Sequence, residues 1–512
     1  MTFAVPERYN ASTLLDDNLA AGRGERVAIR TEHGDVTYAE LHDRACRAAR
    51  ALGALGLQPE QRVLMVMDDT PAWAAVFLGA IRAGAVPVPV SYLDSVANFR
   101  HFIRDSGARV VVAEAPAHDK VVEALAGVDP APALVVANGD IEGAESLDAL
   151  LETHPGEVPP AATHRDDIAF WLFSGGSTGL PKGVVHLQHD IAYTVATFAR
   201  EILQIAEDDI CFSTTKLYHA YGMGNGMSFP FSVGATSVLM SGKPQPDRIL
   251  GHIDRFRPTL FFSVPTLYGL LSGVPEAEST DFGSIRMCCS AAEPLAPEVL
   301  RRWQKVSGLE ICDGIGSTEM LHIYCSNRPG DVHPGTSGRP VPGFTLKLLD
   351  EDERPVARGE VGNLFVKGDS ALAFYWHNHE KTKHSLRGEW FFTGDRYRET
   401  EEGVYVYEGR ADDMIKIGGL WASPISIENA LVEHPRVLEA AAVGVQADFT
   451  TRVKAYVVCR GGQADEGLAG ELQTWCKERL RRYEFPAFIE FVDALPKTAT
   501  GKIQRYKLRE EQ

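Results

Sequence analysis

The sequence predicts an α/β protein built of more than one unit, on three observations. The chain has 512 residues, too many for a single hydrophobic core. From about Asn10 to Pro160, short apolar runs alternate with longer Ala/Leu/Arg-rich segments, the rhythm of a largely parallel sheet covered by helices. After Gly338 the runs become closely spaced and β-like, and at Pro424 a further α/β stretch begins, about 100 residues long and of ordinary size for a separate unit.

Tyr38 to Leu55 has helical spacing, and Arg62 to Met67 is a short apolar strand. Ala72 to Gly84 reads as an apolar helix. Ala85 to Val90, interrupted by Pro87 and Pro89, is a strand or an extended edge. Val110 to Ala113 and Leu134 to Ala137 are two more strands, and nothing in this region suggests more than a scaffold. His154 to His164 is Pro-rich and reads as a linker.

The linker leads to Ile168-Ala169-Phe170-Trp171-Leu172-Phe173, an apolar strand, and then to Ser174-Gly175-Gly176-Ser177-Thr178-Gly179-Leu180-Pro181-Lys182-Gly183. Most Gly/Ser clusters are flexible turns. Here the preceding strand, the stiffening Pro181 and the charge on Lys182 point instead to a phosphate loop, whose N–H groups and hydroxyls surround oxygens. It is not a Walker A motif, because Gly183 follows Lys182 where Ser or Thr is required.

Ala192 to Leu203 reads as a helix. In Lys216-Leu217-Tyr218-His219-Ala220-Tyr221-Gly222-Met223-Gly224-Asn225, small residues crowd around Tyr221 and suggest a slot for something flat, although ordinary core reads the same way. Thr259 to Thr266 is a strand entering a turn. Ser290-Ala291-Ala292-Glu293 ends another strand with small residues, which suits a flat ring against the backbone and equally suits a tight turn. Asp313-Gly314-Ile315-Gly316-Ser317-Thr318-Glu319 carries two hydroxyls and one carboxylate after a glycine pair, and Mg²⁺ takes carboxylate and phosphate oxygens together. Thr345 to Leu349, Gly362 to Val366 and Val404 to Tyr407 are strands of a smaller sheet, which holds the Gly394-Asp395 turn.

These motifs, with Gly409-Arg410-Ala411-Asp412 and Pro496-Lys497-Thr498-Ala499-Thr500-Gly501-Lys502, stand in the order and spacing of the adenylate-forming superfamily of acyl-CoA synthetases, adenylation domains and luciferases, which the chain resembles over nearly its whole length. Lys216 to Asn225 and the run from Thr318 through Asp331 look most like the benzoate-CoA ligase group. The resemblance implies a large N-terminal domain, 1–411, of two parallel-type α/β subdomains and a small β-barrel-like subdomain, then a mobile α+β lid, 412–512. It implies an ATP-dependent aryl-CoA ligase working through an acyl-adenylate, with ATP, Mg²⁺ and coenzyme A. Lys502, Thr318 and Glu319 would carry the chemistry, Glu319 as the metal ligand. Ser174, Gly175, Gly176, Ser177, Thr178, Lys182, Ser290, Ala291, Ala292, Glu293, Asp313, Gly314, Ile315 and Gly316 would hold ATP, and Asp395 and Arg410 its ribose. A small aromatic carboxylic acid would lie among His219, Ala220, Tyr221, Gly222, Ala292, His322 and Ile323. Lys416, Gly418 and Gly419 would serve the CoA half-reaction, and Asp412 the hinge.

His219 stands where an aromatic residue is expected, so the ring substituents stay open: benzoate leads, and 2-aminobenzoate (anthranilate) or a hydroxybenzoate follows. An aryl-AMP ligase loading a carrier protein and a medium-chain acyl-CoA synthetase rank below. A peptide-synthetase adenylation domain would need an aspartate within Ala220-Tyr221-Gly222, a luciferase would consume oxygen, and a non-enzymatic relative would be expected to lack Lys502 or Glu319.

Composition limits the partners. The net charge of -18 disfavours nucleic acid and anionic membranes, so ATP must be held by local groups. No apolar run reaches the ~18 residues of a membrane span, and no secretory signal stands at the N-terminus. The eight cysteines lack C-x-x-C spacing, which leaves no zinc site or disulfide framework and makes a reducing cytoplasm the expectation. A homodimer is allowed.

Overall fold

A computed structural model describes residues 4–510 apart from 177–178, 412, 418–419, 448–449, 462–463, 466, 482 and 498–502. The first α/β unit is a five-stranded parallel sheet in the order Val86–Val90, Arg62–Val66, Val110–Glu114, Ala133–Ala137, Glu145–Ser146. Pro87 and Pro89 occupy its outermost strand, where a missing N–H breaks no central ladder. The helix Tyr38–Ala54 starts with a capping box between Thr37 and Glu40, and Pro71 opens the helix Pro71–Arg82 at the position that needs no donor.

The second unit is a nine-stranded sheet. Its central strands, Val27–Thr31, Thr236–Val238, Ile210–Ser213, Leu260–Ser263, Met287–Ser290 and Ile311–Gly316, pair in parallel. Ile323–Ser326 and Arg339–Pro340 continue it antiparallel. Buried Phe212, Phe261, Tyr268, Cys288 and Trp303 pack on one face, and Phe198, Phe229, Phe262 and Tyr324 belong to the core on the other side. The helix expected at Ala192 to Leu203 begins as the α-turn Asp190–Thr194 and continues wider-wound over Val195–Leu203.

The described part of the predicted phosphate loop lies on two paired β-strands, Ile168–Gly176 and Gly179–Leu187, a hairpin that the short strand Phe374–Tyr375 joins at Val184 and Val185. The small barrel-like subdomain is a five-stranded antiparallel sheet of Thr345–Leu349, Val361–Lys367, Trp390–Glu399, Leu386–Arg387 and Tyr405–Arg410. Past residue 412, Val437–Ala447, Thr450–Cys459 and Phe488–Phe491 form a sheet with its own core of Ile427, Leu431, Val453, Leu468, Leu472 and Cys476. No described helix is long and apolar enough to cross a membrane, and all eight cysteines are free thiols.

Candidate active site

Two of the predicted motifs stand where parallel strands of the nine-stranded sheet end, the usual place for a ligand in an open α/β sheet. Met287–Ser290 delivers Ser290, Ala291 and Ala292, and Ile311–Gly316 delivers Asp313 to Gly316. Ala292 is held at φ 76°, a conformation an alanine adopts only at a cost, and such strain collects at functional sites. Ser290 is buried, and burial raises the Asp313 carboxyl far above the usual carboxylate range. Glu293 is engaged nearby: its Oε2 accepts the Thr266 hydroxyl at 2.6 Å and the Thr266 N–H at 3.2 Å, holding the start of the helix Pro265–Leu271.

Gly314 and Gly316 are required by close approach. A Cβ at Gly314 would stand 2.8 Å from the Cys325 carbonyl, and one at Gly316 would stand 2.5 Å from the His322 carbonyl. This lets Ile323–Ser326 return tightly, placing Ile315 beside Cys325. The Ser317 hydroxyl caps the turn Thr318–Met320 by accepting the Met320 N–H at 3.2 Å.

Glu319 is half-buried, and the Tyr375 hydroxyl donates to its Oε1 at 2.9 Å. Burial and the neighbouring carboxylate push that phenol upward, so it stays protonated and donating. The same segment secures the turn's backbone: the Leu372 N–H donates to the Glu319 carbonyl at 2.6 Å and the Ser370 hydroxyl to the Met320 carbonyl at 2.8 Å. Tyr375 and Ser370 escaped the sequence reading, whose only signal was an aromatic pair, Tyr375-Trp376, outside any motif.

The hairpin pairs Ser174 with Lys182 and Gly176 with Gly179, bringing the hydroxyl and the cation to one rung while Gly175 lies exposed. Its outer arm is braced by His101, whose Nε2 donates to the Pro181 carbonyl at 2.7 Å, and by Trp376, whose backbone N–H donates to the Gly183 carbonyl at 2.8 Å. Asp395 and Arg410 face each other across paired strands, with Arg410 Nη1 donating to Asp395 Oδ1 at 3.0 Å. Burial holds the Tyr324 phenol well above its ordinary range, and the charges of Asp395 and Glu319 raise it further.

Tyr221, 8% exposed, packs against His322 with centroids 5.5 Å apart and lies edge-on to Phe262 at 6.4 Å. His322 also meets Phe198 at 4.9 Å and Phe229 at 4.5 Å. Burial pushes its imidazole down to about 3, so the ring is neutral and behaves as one more flat aromatic. Ile323 and Ala220 are buried beside it, and half-buried His219 precedes the helix Ala220–Met223, in ring contact with Tyr218.

One expectation changes. Gly222 opens no space for a ring, because a Cβ there would stand 2.1 Å from the Lys216 carbonyl; the missing side chain is used by the chain's own fold-back. Gly224 makes room for the His322 ring, because a Cβ there would stand 2.5 Å from His322 Cδ2. Lys216, the one cation in these segments, is committed elsewhere: its Nζ donates to Asp68 Oδ1 at 3.0 Å and to the Met240 carbonyl at 2.6 Å. Burial lifts the neighbouring Asp69 to about 6.

Lys416 lies exposed on the strand Ile415–Ile417. Ser177, Thr178, Asp412, Gly418, Gly419 and Lys502 lie outside the described residues.

Known proteins match along the whole chain. The family model for AMP-binding enzyme covers residues 17–376, and that for the AMP-binding enzyme C-terminal domain covers 426–502. A benzoate–CoA ligase of Thauera aromatica is 46% identical over 99% of this chain and 96% of its own. A benzoate CoA ligase from Burkholderia xenovorans LB400 superposes with a TM-score of 0.91 at 44% identity, over 98% of this chain and 100% of that one. The anthranilate CoA ligase AuaEII, solved with anthranoyl-AMP, superposes with a TM-score of 0.95 at 36% identity, over 99% and 98%.

Proposed function

The chain belongs to the AMP-binding enzyme family, and we propose that within it the protein is a benzoate-activating CoA ligase. It is an AMP-forming aryl-CoA ligase, with ATP and CoA as co-substrates. The observation that carries the choice of acid is the ring cluster of Tyr221, neutral His322, Phe229, Phe198 and Phe262. A planar ring gains burial and offset stacking against such walls. An alkyl chain would gain burial alone.

In the first half-reaction an acid oxygen attacks the α-phosphorus of ATP and pyrophosphate leaves. The Ser174–Lys182 hairpin and Lys502 offset the charge of the departing pyrophosphate. The Thr318 hydroxyl donates to the α-phosphate, and Asp395 accepts both ribose hydroxyls, steadied by Arg410. Ser290 to Ala292 provide the surface for adenine. Catalysis of this kind is chiefly positioning and electrostatics. Glu319 fits Mg²⁺: it is one carboxylate beside a phosphate site, and no group of three potential ligands exists among the described residues, so phosphate oxygens and water would complete the shell. Bound there, the ion would neutralise phosphate charge.

In the second half-reaction the CoA sulfur attacks the acyl carbon, AMP leaves with the electron pair, and the thiol proton passes to solvent. The unit from 412 to 512 acts as a lid, turning about Asp412 between the two steps so that Lys502 gives way to the segment of Lys416, Gly418 and Gly419. A cytoplasmic location belongs to the same proposal and fits eight free thiols.

A second reading is 2-aminobenzoate: His219 precedes the helix Ala220–Met223 where the resemblance expects an aromatic ring, and an imidazole can hydrogen-bond an ortho substituent as a phenyl ring cannot. The test is kcat/KM for benzoate, 2-aminobenzoate, 2-hydroxybenzoate, cinnamate and octanoate. Benzoate leading supports the proposal. A ~10-fold preference for octanoate, roughly 1.4 kcal/mol in transition-state binding, would overturn the aryl slot. A 2-aminobenzoate advantage that vanishes in His219→Phe would transfer the assignment to the second reading.

A further inference from the structure

His186 lies on the second strand of the phosphate hairpin and is 0% exposed. Its ring lies parallel to Phe170, with centroids 5.3 Å apart and planes 23° apart. Nδ1 is 2.7 Å from Asp190 Oδ2, and Nε2 is 2.8 Å from the backbone carbonyl of Thr318. Asp190 is also fully buried; its Oδ2 accepts the Leu187 N–H at 3.0 Å and its Oδ1 lies 3.2 Å from His189 Nε2. The Thr318 carbonyl accepts the Leu321 N–H at 3.1 Å as well.

The Thr318 carbonyl can only accept, so Nε2 donates to it, and Nδ1 and the Asp190 carboxyl share a proton between them. A buried contact of this kind is directional and costly to leave unmade. It joins two parts of the site that are 132 positions apart in sequence, the hairpin that surrounds phosphate and the turn that bears Thr318 and Glu319. The hairpin's other fastenings to that turn run through Leu372 and Tyr375, so His186 is the direct strut from strand to turn among the described residues.

We infer that His186 is a positioning residue for adenylation: it sets the separation of the phosphate hairpin from the Thr318–Glu319 turn without touching substrate. This rests on the nucleotide site proposed above. If the strut acts this way, its loss should fall on the step that uses the β- and γ-phosphates and spare the step that does not.

The test compares wild type, His186→Phe and Asp190→Asn. Phenylalanine keeps the volume and the packing on Phe170 but has no donor. Asparagine can donate to Nδ1, which leaves Nε2–H free to hold Thr318. For His186→Phe, pyrophosphate release without CoA should fall ~10- to 100-fold, the scale of a lost buried hydrogen bond. Thiolysis of supplied benzoyl-adenylate and the KM for benzoate should stay within ~3-fold. Asp190→Asn should lose less. Nitrogen NMR of ring-labelled histidine in wild type should show a protonated His186 Nε2, an outcome that does not depend on any variant folding. Equal loss in both half-reactions, unchanged adenylation, or a bare Nε2 would each overturn the inference. A wild type that releases no pyrophosphate with any aryl acid would instead strike the nucleotide site itself.

Discussion

Replacing Tyr375 with phenylalanine removes one hydroxyl and little else, because the ring is 4% exposed and its packing survives. The lost contact is the 2.9 Å donation to Glu319 Oε1. A hydrogen bond to a charged group contributes about 1.5–3 kcal/mol, and the half-buried Glu319 can recruit water in its place, which argues for the lower end. At about 1.4 kcal/mol per decade, adenylation should slow roughly tenfold. The assay is pyrophosphate release without CoA over a Mg²⁺ titration, beside thiolysis of supplied benzoyl-adenylate. The slowing should be largest at low Mg²⁺, because an untethered carboxylate must be ordered when the ion binds. Thiolysis should be unchanged within about twofold. An unaltered adenylation rate, or an equal fall in both half-reactions, would show that Tyr375 does not orient a group used in the first step.

Three further outcomes follow from the same account. Lys502→Ala should cost adenylation ~10²–10³ while leaving thiolysis nearly intact, and equal losses would remove the two-position lid. Asp412→Pro fixes φ near about -65° and should damage one half-reaction far more than the other; wild-type rates in both would move the hinge elsewhere. His322 sits at about 3 when folded against 6.5 in a free chain, so between those values the unfolded chain binds a proton that the folded one does not, and stability falls as pH falls below 6.5. Urea unfolding at pH ~7 and pH ~5 should therefore show a drop in wild type that His322→Phe reduces by up to about 2 kcal/mol, and an identical drop in both would contradict the burial of a neutral ring.

The parts of the site legible in the sequence are those where the chemistry is contiguous. The Ser174–Lys182 hairpin and the Gly314–Glu319 run carry their glycines, hydroxyls and charges within a few residues, so local patterning announces them. Asp395 and Arg410 were legible only through the resemblance, yet they meet because their strands pair directly. What stayed hidden depends on contacts between distant segments. Tyr375 reaches Glu319 across 56 positions and Lys216 reaches Asp68 across 148, and nothing in either neighbourhood encodes the partner. The role of Gly222 was misjudged for a similar reason: a glycine signals that space is needed, and only the fold shows that the Lys216 carbonyl takes it. The strained φ of Ala292 is likewise invisible in a residue that ordinarily avoids that conformation.

The central claim is that aromatic acid, ATP and CoA become an aryl thioester, AMP and pyrophosphate on this chain. The direct measurement is mass spectrometry of the products from benzoate, ATP and CoA under argon. The account predicts benzoyl-CoA and AMP in equal amounts, with benzoyl-AMP accumulating when CoA is left out. ADP in place of AMP, or a product that forms only when oxygen is admitted, would contradict it.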